Sequence, residues 1–109
     1  MGMKSKALRL GAMNFEEFQQ SVRSEETPPA GIDAALAALW WDGKGDWEKA
    51  HALAKDAGSR EGDWVHAYLH RKEGDEGNAR YWYARSRKPF FAGGLEEEWA
   101  VMASELLGG

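Results

Sequence analysis

The chain has 109 residues, a length that suits one domain built on one core. Its 14 basic and 18 acidic residues leave a net charge of −4, which argues against the broad positive surface that nonspecific nucleic-acid binding requires. Cysteine is absent, excluding disulfide scaffolds and thiolate zinc sites, and no apolar run approaches the roughly 20 residues that span a bilayer.

The start, Met1-Gly2-Met3-Lys4-Ser5-Lys6, is basic, but no signal-peptide apolar region follows it. Lys6 stands where a myristoylation pattern has Ser or Thr. The sequence therefore reads as cytoplasmic, with neither a membrane nor a nucleic acid as partner. Residues 1–13 show no period and read as a tail, leaving residues 14–109 as a single helical domain.

Asn14 followed by Glu17 is the pattern of a capping box, predicting a helix over 15–24 with Phe15, Phe18 and Val22 on one face. Thr27-Pro28-Pro29 must end it, because proline lacks the donor and forces its predecessor extended. A second helix is expected over 30–42. Ile32, Ala35, Leu36, Leu39 and Trp40 share one face, while Ala34, Ala37, Ala38 and Trp41 line the other; a helix apolar all round should be central. Gly43-Lys44-Gly45-Asp46 turns the chain into a third helix over 47–57, and Gly58-Ser59 into a fourth over 61–73. Gly74-Asp75 opens a fifth over 76–87; Pro89, Gly93 and Gly94 separate it from a sixth over 95–107. Glu96, Glu97 and Glu98 at that last helix's start suit its dipole. β-branched residues are scarce and no period-2 alternation competes, so the expected class is all-α.

The turns repeat. Lys44-Gly45-Asp46 and Glu73-Gly74-Asp75 lie 29 residues apart, and at the same offset Ala38 matches Ala67 and Ala50 matches Ala79. Each unit is helix, Gly-Asp turn, helix, with small residues where the paired helices should approach. Gly74, Asp75, Ala79 and Tyr83 resemble the spacing of tetratricopeptide and Sel1-like repeats, over about half the chain; the first unit keeps Gly45, Asp46 and Ala50 but has Ala54 at the aromatic position. That resemblance implies antiparallel helical hairpins in a right-handed array of about six helices. The segments Ala38 to Trp47, Trp64 to Asp75 and Gly77 to Tyr83 with Arg85 also resemble a small family of uncharacterised bacterial proteins, which implies the fold and no reaction.

On the fourth helix Trp64, Val65, Tyr68 and Leu69 define one arc, and Asp63, His66, His70 and Glu73 the opposite one. His66 and His70, one turn apart, are candidates to share a metal, with Glu73, Asp63 or His51 of the preceding helix as third ligand. The segment lacks the Glu after the first His that marks zinc proteases, so hydrogen-bonded structural histidines are the favoured reading, ahead of ligand contact and then of metal binding. Tyr81 and Arg85, one turn apart on the fifth helix, have the composition of an interface hot spot, and Trp41 needs a partner helix or a groove to cover it. No nucleophile elbow, P-loop or dinucleotide fingerprint is present. The leading expectation is a noncatalytic module without cofactor that binds a protein or peptide, or self-associates, through His66, His70, Tyr81, Arg85 and Trp41. The alternative is a small-molecule or metal-binding protein, conceivably an enzyme, using a His66/His70 groove.

Overall fold

The computed structural model describes residues 13–108, and among them every regular element is an α-helix. We label them α1 (Phe15–Ser24), α2 (Ala34–Gly43), α3 (Trp47–Asp56), α4 (Arg60–Lys72), α5 (Glu76–Ser86) and α6 (Leu95–Leu106). All but one residue of the expected N-terminal tail lies outside the described residues. No helix among the described residues is long and apolar enough to cross a membrane.

Local chemistry sets the boundaries. Asn14 Oδ1 accepts from the Glu17 amide at 2.8 Å while Glu17 Oε1 accepts from the Asn14 amide at 3.1 Å, the reciprocal capping box that opens α1. The second helix starts later than the apolar pattern suggests. After Pro28-Pro29 the chain passes through Gly31 at φ +87°, a left-handed conformation outside any α-helix, and Asp33 then caps the Leu36 amide at 3.0 Å. The residues at 30–33 are thus a turn and a cap.

The two Gly-Asp turns are the same structure twice. Gly45 and Gly74 take φ +91° and +89°. Asp46 N donates to Trp41 O and Asp75 N to His70 O, both at 2.9 Å, closing the end of α2 and α4 in one way. Asp46 and Asp75 then cap the Lys49 and Asn78 amides. Ala38, Ala50, Ala67 and Ala79 are all fully buried, and the closest helix pairings are α4 with α5 and α2 with α3. Without side-chain bulk at those positions the backbones of each hairpin come together.

Two helices form the interior. α2 packs against α1, α3, α4 and α6, and α4 against α2, α3, α5 and α6. α6 turns back onto α4, α2 and α1. Trp99 secures it there, donating from Nε1 to Leu39 O at 3.0 Å and packing its ring on Phe15 and Phe18. Glu98 does more than meet the helix dipole: it is 0% exposed, accepting from Tyr83 Oη at 2.5 Å and from Arg71 Nη1 at 2.9 Å, with Arg71 Nη2 also donating to Gly93 O. Burial raises the Glu98 carboxyl above the usual carboxylate range, against the pull of Tyr83 and Arg71. A second buried carboxylate, Asp42, accepts from Tyr68 Oη and Lys72 Nζ, both at 2.8 Å, tying α2 to α4. Every residue of α4 from Trp64 through His70 is buried, so the middle of its polar arc, His66 and His70, lies inside the protein, between α3 and α5.

A candidate three-histidine metal centre

Three imidazoles meet on that arc. His66 and His70, spaced i and i+4, project from one face of α4, and His51 reaches them from the antiparallel neighbour α3. Their nitrogen atoms, one from each ring, all lie within 4.8 Å of one another. The His66 and His70 rings stack at 4.8 Å between centroids, and His51 stands edge-on to both, at 4.7 and 5.2 Å. His66 and His70 are only 4% and 8% exposed, whereas His51 is partly open to solvent.

Tryptophans wall the cluster. Trp47, one turn before His51 on α3, stacks on that ring at 4.7 Å with the planes 8° apart, and its Nε1 donates to Leu69 O at 3.0 Å. Trp82 of α5 stacks on His66 at 4.1 Å. These flat contacts hold two imidazoles in place without using their nitrogens. His70 is held differently: its Nδ1–H donates to Glu73 Oε2 at 2.8 Å. That fixes the tautomer and leaves the Nε2 lone pair free, the carboxylate–histidine arrangement that commonly orients a metal-bound imidazole.

The remaining nitrogens are unusual for a structural network. His51 Nε2 and His66 Nε2 face each other at 3.0 Å, so in the metal-free protein one carries the proton between them. His66 Nδ1 is buried and has no hydrogen-bond partner among the described residues. Burial first, then the neighbouring His51 and His70, pulls the His66 imidazole down to about 4. His51 is lowered as well, by burial, His70 and Lys55, against Glu73 and Glu48. Both are therefore neutral at neutral pH, the protonation state that ligates metal without first losing a proton.

Of the residues expected to form a site, His66 and His70 come together, and His51 joins them as third member. Glu73 supports His70 and stays outside the three-nitrogen group; His70, Glu73 and Asp75 make a second, more exposed set of potential ligands. Asp63 is turned away, accepting from Arg85 at 3.5 Å. Trp41 stands apart, half-buried edge-on against Trp40 with the Lys49 ammonium 4.0 Å over its ring. Tyr81 is 55% exposed, its ring edge against Trp82, and Arg85 lies over the same indole. Trp47 and Trp82 were missed as site residues. The i, i+4 spacing of Trp47 and His51 was a sequence signal for the first; nothing local to the sequence ties Trp82 to His66, because that contact joins two helices.

The fold and the cluster together define an all-helical protein with a buried three-histidine site. Comparison with protein-family models, with curated proteins and with solved structures gave no match to the chain.

Proposed function

We propose that the protein binds a divalent transition metal through His51, His66 and His70, with zinc as the reference ion. The observation that carries this reading is the convergence of three imidazoles from two helices, with one buried nitrogen left unpartnered among the described residues. An all-nitrogen, uncharged ligand set favours zinc, copper, nickel or cobalt over magnesium and calcium, which take oxygen. Zinc–nitrogen bonds of about 2.0–2.1 Å place tetrahedral ligands roughly 3.3 Å apart. The His51–His66 separation of 3.0 Å is close to that edge, so binding needs mainly an adjustment of His70 and a shift of the proton between the other two to the Nδ1 of its own ring.

In this reading the helical hairpins are the scaffold. The α2–α3 and α4–α5 units form a short tetratricopeptide-like right-handed array, with α1 and α6 covering its inner layer, in a cytoplasmic bacterial protein. Isothermal titration with zinc tests the metal assignment. One equivalent should bind the wild-type chain, and His51→Ala, His66→Ala and His70→Ala should each weaken binding at least tenfold. Stoichiometric binding that survives all three substitutions would place the metal elsewhere.

A second reading rests on the Tyr81/Arg85 face. An exposed tyrosine beside an arginine that overlies Trp82 has the composition of a protein- or peptide-binding hot spot. It sits on the outer side of the indole that covers His66, so a noncatalytic interaction module, or a self-associating one, reading out the metal state is compatible with the same geometry. Tyr81→Ala with Arg85→Ala should abolish partner capture or self-association and leave zinc binding intact; unchanged association would remove this reading.

A further inference from the structure

Three protein nitrogens leave a tetrahedral metal one ligand short. The chain has no cysteine, and among the described residues no aspartate or glutamate joins the three-histidine group. The nearest carboxylates are already engaged: Glu73 accepts from His70 Nδ1, and Asp75 caps α5 through the Asn78 amide and side chain. Moving either would release His70 or uncap a helix. The open side of the cluster is at His51, the most exposed of the three imidazoles; Trp47 covers one of its faces and Trp82 covers His66.

The charges around that opening are specific. Lys55 lies one turn beyond His51 on the same side of α3, exposed, and among the described residues it has no ion-pair partner. Glu48, three residues before His51 on α3, and Glu73, which accepts from His70 Nδ1, are the acidic groups beside it. A dication held by neutral ligands, with Lys55 against these two carboxylates, leaves the site with an excess of one positive charge. An ammonium group next to a metal is costly unless an anion lies between the two.

We infer that the metal at His51, His66 and His70 takes its fourth ligand from outside the chain, and that this ligand is a carboxylate held between the metal and the Lys55 ammonium. The inference rests on the metal reading above. It makes the centre a receptor for a small carboxylic acid, with the metal supplying the bond and Lys55 the charge selection. Neutral ligands of similar size lack the second interaction.

Cobalt(II) reports both steps, since its visible spectrum reveals coordination number and ligand exchange. The metal-loaded full chain should show the intense absorption of a four- or five-coordinate ion. Sodium acetate should shift that absorption saturably, while acetamide and sodium perchlorate at equal ionic strength should not. Lys55→Gln should weaken the acetate response several-fold without weakening cobalt binding, and Lys55→Arg should restore it. Cobalt bound with a spectrum indifferent to acetate, or an acetate response unchanged in Lys55→Gln, overturns the carboxylate inference while leaving the metal centre standing. Failure of cobalt to bind at all removes both.

Discussion

His66 holds a proton poorly because it is buried, under Trp82 and beside two other imidazoles. Its folded value of about 4 lies below the ordinary 6.5, so the unfolded chain binds the proton more readily than the native one. The stability that this group contributes is present above pH 6.5 and is lost as pH falls through 4. The metal-free protein, kept in chelator, should therefore lose up to about 3 kcal/mol of stability across that window. His66→Phe, which keeps a ring against Trp82, should flatten the dependence; urea melts at several pH values in both proteins decide it. An unchanged slope in the variant would assign the acid sensitivity to other groups. Trp47 and Trp82 touch their imidazoles by ring faces, so Trp82→Ala should loosen zinc binding although it removes no ligand.

At the scale of elements, the same turn physics makes predictions of opposite sign. Gly74 takes φ +89° with open space where a Cβ would stand, so Gly74→Ala pays only in backbone conformation and should cost about 1 kcal/mol. Arg87 ends α5 at φ +63°, the left-handed position glycine favours. Arg87→Gly should stabilise by a few tenths to about 1 kcal/mol. Ala79 is fully buried where α4 and α5 pair most closely, so Ala79→Leu should cost about 1–3 kcal/mol through overpacking. Denaturant melts read all three, and a neutral Ala79→Leu would mean the hairpin contact is looser than the structure shows.

These elements were largely legible in the sequence because their signals are local. Asn14, Asp46, Ser59 and Asp75 each cap the amide three residues on, and the Gly-Asp repeat encodes one turn twice. The start of α2 was misread where local signals conflict: Ala30 and Ile32 continue the apolar period, but Pro28-Pro29 and a left-handed Gly31 keep them outside the helix. In the site, the pairing of His66 with His70 follows from spacing within α4. What spacing cannot give is which helix supplies the third imidazole and the second indole. His51 and Trp82 are 15 and 16 residues from His66 in the sequence, on opposite sides, and only tertiary packing brings both to one ring.

For the molecule as a whole, the buried polar groups set how the layers close. Glu98 has a role that the helix-dipole reading of Glu96, Glu97 and Glu98 does not include. It sits inside because Arg71 and Tyr83 both direct polar atoms to it, a long-range match that no run of three glutamates reveals. Glu98→Ala would strand the Arg71 guanidinium, half-enclosed between α4 and α6, and should cost about 3–5 kcal/mol. A loss below about 1 kcal/mol in urea melts would show that α6 is held by Trp99, Met102 and Ala103 alone.

The metal centre is the claim on which the rest depends, and anomalous diffraction from zinc-loaded crystals tests it most directly. The account predicts one strong anomalous peak bonded to a nitrogen of His51, His66 and His70 at about 2.0–2.1 Å, with Glu73 still accepting from His70 Nδ1. A peak at the outer group of His70, Glu73 and Asp75, or no ordered metal with the three imidazoles unmoved, would contradict it.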